Sequence, residues 1–234
     1  MYTKTNDNYT KIYSILISIF VVTLVLTNII GTKIFLLFGE TFPEGLFGSP
    51  LALTAGIITY PVTFLVTDVT SEVFGKAKAR LMVYCGFFCS LLSLIIISIV
   101  LNLTPSDVWL TGTPYTELSD MEIAFKTVFS LPGILIFASM TAYLIAQLID
   151  VHIFHFIKKI TKSKYLWLRN NISTMISQLI DTIIVNSIFL GYGMGLQYDI
   201  VIKIIIANYI IKIFFAAVDT PLVYLLVNFI KKKI

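Results

Sequence analysis

Charge is what this sequence has least of. Only 13% of its 234 residues are charged, against 57% hydrophobic, whereas soluble domains carry about 25% charged residues. That shortage excludes a water-soluble globular domain and points to a membrane protein. Cysteine is nearly absent. Cys85 and Cys89 lie four apart in one apolar run, where they share a helix face with no partner for a disulfide framework. Catalytic signatures are missing too: there is no HExxH, no GxSxG and no phosphate-binding GxxxxGK[ST]. No connection between apolar runs is long enough for a folded soluble domain.

What remains is long apolar stretches. A helix needs about 20 mostly apolar residues to cross the hydrocarbon layer. Six stretches qualify, at roughly 12–36, 51–74, 80–102, 124–156, 171–191 and 200–230. The expected architecture is therefore all-α, a single six-helix transmembrane domain over residues 1–234. The first run is longer than a signal-peptide core and offers no small-residue cleavage site, so it is read as a retained helix.

Positive charge sets the expected orientation, because Lys and Arg are retained on the cytoplasmic side. Lys4 and Lys11 precede the first span, and Lys76, Lys78 and Arg80 join the second to the third. Lys158, Lys159, Lys162, Lys164 and Arg169 join the fourth to the fifth, and Lys231, Lys232 and Lys233 end the chain. The opposite connections are acidic, with Glu40 and Glu44 in one and Asp107, Glu117, Asp120 and Glu122 in another. Both termini are expected in the cytoplasm, for a multi-pass protein of the bacterial inner (plasma) membrane. The net charge of +4 then reflects a cationic rim against anionic lipid and requires no nucleic acid.

Other polar features read as structural. The connection at 103–123 is an exterior loop with Trp109 at the interface, and GYGMG (191–195) is a turn. His152 and His155 are three apart without a third ligand nearby, so no metal and no cofactor are expected.

The informative residues are the ionisable ones inside the spans. An Asp at the centre of a membrane helix costs about 2.5–3.5 kcal/mol on insertion scales, so such groups face a bundle interior or a wet cavity. Counted inward from the basic loops at about 1.5 Å per residue, Asp181 and Asp219 fall near the midplane. Asp68 and Asp150 lie less deep, and Glu72 lies near the interface. Asp68 and Glu72 are four apart and share a face, with Pro61 expected to free a carbonyl earlier in that span. AQLID (146–150) and SQLID (177–181) each place a Gln three residues before an Asp, hence on one helix face. Asn28 and Lys33 flank Gly31 in the first span, and Asp219 is followed by Thr220 and Pro221. A shared polar cavity at mid-membrane, built from the first, second, fifth and sixth spans, accounts for these residues as a small-molecule transporter would.

Three segments then carry a resemblance that covers most of the chain: NIIGTKIF in the first span, YPVTFLVTDVTSEVFGKAKAR (60–80), and LWLRNNISTMISQLIDTIIVNSIF (166–189). They resemble the queuosine precursor transporter family, also called the vitamin uptake transporter family. The resemblance implies a six-helix bundle similar to the substrate-binding subunits of energy-coupling vitamin importers. It further implies inward movement of 7-deazaguanine compounds for making a modified tRNA base: the nitrile precursor preQ0, the aminomethyl precursor preQ1, or queuine.

Depth and chemistry suggest roles for that cargo. A guanine-like edge offers N–H donors that one carboxylate can accept together, and an amide can read the neighbouring carbonyl. Asp181, Asp219 and Gln178 are expected at the base, Asn28 and Asn186 are the amide candidates, and Asp68 and Glu72 form a gate or proton site at the inner end. The partners expected are this small molecule and the bilayer, with a homodimer left open. Two other readings follow from the same features. A vitamin-binding subunit of an energy-coupling transporter would present small-residue surfaces on its first helix, but no Ala occurs before Leu51. An intramembrane enzyme would need a nucleophile, metal ligands or paired aspartates at working distance, and the expectation is that the chain is not an enzyme.

Overall fold

The computed structural model describes residues 2–31, 33–36, 52–130 and 133–234. It is a helical bundle, with α1 (Tyr2–Ile30), α2 (Tyr60–Val73), α3 (Lys76–Leu101), α4 (Leu118–Phe129), α5 (Gly133–Ile160), α6 (Leu166–Asn186) and α7 (Tyr198–Lys231). Five stretches among the described residues are long and apolar enough to cross a bilayer: Asp7–Ile30, Lys76–Leu101, Ile136–Ile160, Leu166–Gly193 and Tyr198–Lys231. The all-α, polytopic membrane class read from composition holds.

Three of the expected spans are not single helices. The first, 12–36, stops at Ile30. Beyond it Ile34–Leu36 (β1) pairs antiparallel with Ala52–Thr54 (β2), placing Phe35 opposite Leu53. The second, 51–74, accordingly begins as β2, passes through a 3-10 turn at Ala55–Ile58, and only then becomes the 14-residue α2. Short apolar runs such as IFL and ALT suit a strand as well as a helix, so their periodicity cannot separate the two. Pro61 does not interrupt a span, contrary to expectation. It stands instead in the first turn of α2, where a missing N–H costs nothing. The expected span 124–156 is divided between α4, which ends at Phe129 with Ser130 extended, and α5.

The connection at 103–123 is more ordered than a plain loop. It holds a 3-10 turn at Asp107–Leu110 and the first turns of α4, with Trp109 edge-on to Phe125 at 5.4 Å. GYGMG begins within a π-helical stretch, Ser187–Gly193, that extends α6. Glu40 and Glu44 lie outside the described residues.

Buried side chains from six helices make the core: Phe20 and Leu24 of α1, Val69 of α2, Met82 and Val83 of α3, Val151 and Phe154 of α5, Leu166 of α6, and Val223 of α7. Gly86 lets α3 close on its neighbours. A Cβ there would lie 2.6 Å from Phe20 and 2.8 Å from the Tyr143 hydroxyl. Gly75, at φ +84°, turns the chain from α2 into α3, a conformation that costs a glycine little. Leu92, Ile96 and Ile99 of α3 and Phe214 and Leu225 of α7 remain exposed, as lipid-facing residues should.

The bundle gathers its basic segments at one end. Tyr13 of α1 donates to the Lys78 carbonyl at 3.0 Å, and Asn8 donates to the Lys233 carbonyl at 3.3 Å. Lys158, Arg169 and Lys231 converge there on Glu72. The same end therefore holds the start of α1, the α2–α3 and α5–α6 connections and the end of α7.

Candidate functional site

The cavity sits between the helices, about 370 Å³ in volume. Its wall takes Thr27 and Asn28 from α1, Tyr60 from α2, Ser90 from α3, Ser139 and Tyr143 from α5, Asp181, Thr182 and Asn186 from α6, and Asn208 and Lys212 from α7. Phe189 and Leu190 of the π-helical stretch close part of it with apolar surface. Ligand sites for small molecules run from about 300 to 1,000 Å³ and combine apolar walls with a few convergent polar groups. This cavity falls within that range.

Its electrostatic centre is an ion pair. Lys212 Nζ donates to Asp181 Oδ2 at 2.6 Å, with the Asp181 carboxylate 6% exposed. The ammonium also lies 4.9 Å from the centre of the Tyr60 ring. Asp181 can be buried at this depth because the lysine neutralises it, and Lys212 can be held in an apolar helix for the reciprocal reason. The amide nitrogen of Asn28 is buried without a hydrogen bond among the described residues. Asn186 turns its nitrogen back to the Thr182 carbonyl at 2.7 Å, which leaves its oxygen side to the cavity.

Of the residues expected at the base, Asn28, Asp181 and Asn186 line this cavity together. Gln178 and Asp219 do not line it. They border a narrower crevice between α2, α6 and α7, with Pro61, Thr174 and Phe215. Ile57, Tyr60 and Lys212 line both spaces, so the crevice adjoins the cavity through them. Both polar atoms of Gln178 are buried without a close hydrogen bond among the described residues, beside Tyr60. The cavity also draws on α3 and α5, beyond the four spans expected to build it. Lys33 falls past the end of α1 and is exposed.

Asp68 and Glu72 part company despite sharing one helix face. Glu72 is tied by three cations from three helices: Arg169 of α6 at 2.7 Å, Lys158 of α5 at 2.8 Å and Lys231 of α7 at 2.9 Å. Arg169, 1% exposed, also donates to the carbonyls of Ser163 and Lys164 at 3.1 Å and packs on the Phe154 ring. Asp68 points instead into the interior, where Thr174 donates to it at 3.4 Å. Asp150, left without a role by the sequence, stands directly beside Asp68 and takes a bond from Ser177 at 3.2 Å. His152 is occupied by Lys76, 3.2 Å from its Nδ1.

Sequence reasoning misses Lys212 and Tyr60. A lysine far from either end of the 200–230 span cannot reach water easily, and that depth is the available signal. Nothing distinguishes Tyr60 among twelve tyrosines.

Comparison with known proteins places the chain in a family. The family model described as "Putative vitamin uptake transporter" matches residues 54–226. The chain belongs to the vitamin uptake transporter family. A relative from Bacillus subtilis (strain 168), named "Probable queuosine precursor transporter", is 33% identical over 181 residues, which is 76% of this chain and 72% of the relative. The "Queuosine precursor transporter" of Escherichia coli (strain K12) is 27% identical over 130 residues, 56% of this chain and 52% of the relative. A Haemophilus influenzae protein, also named "Probable queuosine precursor transporter", is 28% identical over 136 residues, 58% of this chain and 51% of the relative. Against those last two the match spans only about half of their length. No solved structure matches the chain.

Within this family, the matched region contains most of the polar cavity. Tyr60, Asp181, Asn186 and Lys212 fall inside residues 54–226, and Asn28 falls before them.

Proposed function

We propose that this member of the family carries queuosine precursors, 7-deazaguanine bases, across the bacterial inner membrane, with the basic end of the bundle and both termini in the cytoplasm. The observation that carries this reading is the cavity around Asp181 and Lys212, a largely apolar space with a few convergent polar groups. Its volume suits one bicyclic base, and its amide, hydroxyl and charged groups suit a guanine-like edge. The names of the relatives supply the cargo class, and the one-sided basic segments supply the orientation.

In this reading Asp181 accepts the N–H donors of the base, while Lys212 holds that carboxylate in place and offers an N–H to the carbonyl edge. Asn28 and Asn186 read the remaining edge from opposite walls. Tyr60, already beneath the Lys212 ammonium, offers the flat surface on which the base stacks. Gln178 and Asp219 border the adjoining crevice, which is too narrow to hold the base itself. Asp68 and Glu72 lie towards the basic end, where Glu72 joins four helices as a gate. The role is binding and translocation without covalent chemistry.

Complementation tests the reading. Bacteria lacking both precursor synthesis and their own transporter would express the chain, receive each precursor at low concentration, and be assayed for queuosine in tRNA. Rescue by the parent and loss of rescue in well-expressed Asp181→Asn is the expected outcome. Absence of rescue by every precursor, with the protein present in the membrane, would refute it, and copurifying ATPase subunits would favour the vitamin-binding alternative.

A further inference from the structure

Asp68 and Asp150 are 1% and 0% exposed, and their carboxyl groups are direct neighbours. One oxygen of each is satisfied from α6, by Thr174 at 3.4 Å and by Ser177 at 3.2 Å. The remaining oxygens, Asp68 Oδ1 and Asp150 Oδ2, are buried and take no close hydrogen bond from a described residue, with the Ser173 hydroxyl of α6 the other group beside Asp150. One turn before Asp150 on α5, the Gln147 Oε1 atom is also buried without a donor.

No described cation repairs this. Arg169, Lys158 and Lys231 are engaged by Glu72, and Lys212 by Asp181. Lys76 at the head of α3 pairs with His152, and Lys11 of α1 with Asp7. From α7 the group facing Asp68 is another carboxylate, Asp219. Two ionised carboxylates in contact at full burial would repel each other and leave two acceptors without partners. A proton between them removes both defects, because it converts one orphaned oxygen into a donor for the other and leaves one negative charge where there were two.

We propose that Asp68 and Asp150 bind one exchangeable proton between them, and that this pair couples precursor uptake to the proton gradient; the coupling rests on the transport reading above. The step makes and breaks a single O–H bond. A proton from water on the outer side forms it on one carboxylate, and release to water on the cytoplasmic side breaks it. The pair is separate from the Asp181–Lys212 site and from Glu72, whose negative charge is already matched by three cations. Thr174 and Ser177 mediate between the two functions, since both lie on α6 with Asp181. A change in the charge of the pair therefore acts on the helix that holds the cargo.

Two measurements on the full-length protein test this. In lipid nanodiscs without cargo, infrared difference spectra recorded across a pH series should show a protonated-carboxyl stretch that titrates. Either Asp68→Asn or Asp150→Asn should abolish it, and Asp181→Asn should not. A parent protein that lacks such a band, or a band that survives both substitutions, overturns the proposal. In vesicles, an inward proton gradient should raise uptake of the nitrile-bearing 7-deazaguanine severalfold for the parent. Each of the two Asn variants should take it up equally with and without the gradient. Uptake driven by a sodium gradient at uniform pH would overturn the coupling. If the parent moves no precursor at all, the cargo assignment and the coupling to it both fall, and the infrared band still decides whether the pair binds a proton.

Discussion

The two copies of Gln-x-x-Asp, Gln147 with Asp150 on α5 and Gln178 with Asp181 on α6, are nearly the same five residues in two different environments. Asp150 is fully buried against Asp68 and two hydroxyl-bearing residues of α6. Asp181 opens to a cavity of about 370 Å³ and is held by a lysine. Local sequence places a carboxylate on a helix face, and the neighbouring helices decide what it does there. A carboxylate beside a cation and a space can serve a ligand. A carboxylate beside another carboxylate has room for little more than a proton.

The largest effects should come from removing one member of the Asp181–Lys212 pair. Lys212→Met leaves a buried carboxylate unpaired, which costs about 3–5 kcal/mol when one partner of a buried pair is removed. Thermal unfolding in detergent should show a large fall, and uptake should be lost. The double variant Asp181→Asn/Lys212→Met should regain part of the stability but none of the uptake, because charge balance returns without the recognition groups. A double variant no more stable than Lys212→Met would break the account of the pair.

Glu72→Gln should come next. It leaves three cations facing one another at a knot of four helices, and a loss of roughly 2–4 kcal/mol is expected from partly buried pairs of this kind. The check is again thermal unfolding, with limited proteolysis of the α5–α6 connection as a local probe. On the other side of the comparison, Ser177→Ala removes a donor to Asp150 and should cost about 1–3 kcal/mol, the range for leaving a buried acceptor unsatisfied. Thr182→Ala beside Asp181 removes only a bond back to the Gln178 carbonyl and should cost less. Equal losses at the two positions would mean that the two aspartates do not differ as described.

The smallest effect is expected at Lys231, whose side chain is 51% exposed although it lies 2.9 Å from Glu72. Lys231→Ala should change stability by no more than about 1 kcal/mol, as exposed ion pairs do. Arg169→Gln, at the same carboxylate but buried, should be far more damaging. That contrast within one cluster can be read from two melting curves.

Much of this architecture is legible in the residues themselves. Composition defines the class, and the basic residues at 76–80, 158–169 and 231–233 do gather at one end of the bundle. Depth and chemistry select Asp181, Gln178, Asp219, Asn28 and Asn186 as candidates, and of these Asn28, Asp181 and Asn186 line one cavity. Other features are hidden for physical reasons. IFL and ALT fit a strand or a helix equally, so apolarity alone reads the β1–β2 pairing as helix. The contact between Asp68 and Asp150 depends on how α2 and α5 are rotated and shifted against each other, and neither helix encodes that by itself. Depth groups Asp219 with Asp181. It says nothing of azimuth, and α7 turns Asp219 into the crevice beside Gln178. Lys212 is within reach of the same reasoning, since a lone lysine deep in an apolar span requires a carboxylate partner.

The most direct test of the central claim is equilibrium binding of a radiolabelled 7-deazaguanine precursor to the purified protein in nanodiscs, comparing the parent with Asp181→Asn, Lys212→Met and Lys231→Ala. The account predicts saturable binding by the parent and by Lys231→Ala. For Asp181→Asn it predicts an affinity at least about tenfold weaker, from loss of a charge-assisted hydrogen bond. Undiminished binding by folded Asp181→Asn would contradict it, and would place the cargo outside the cavity that Asp181 and Lys212 define.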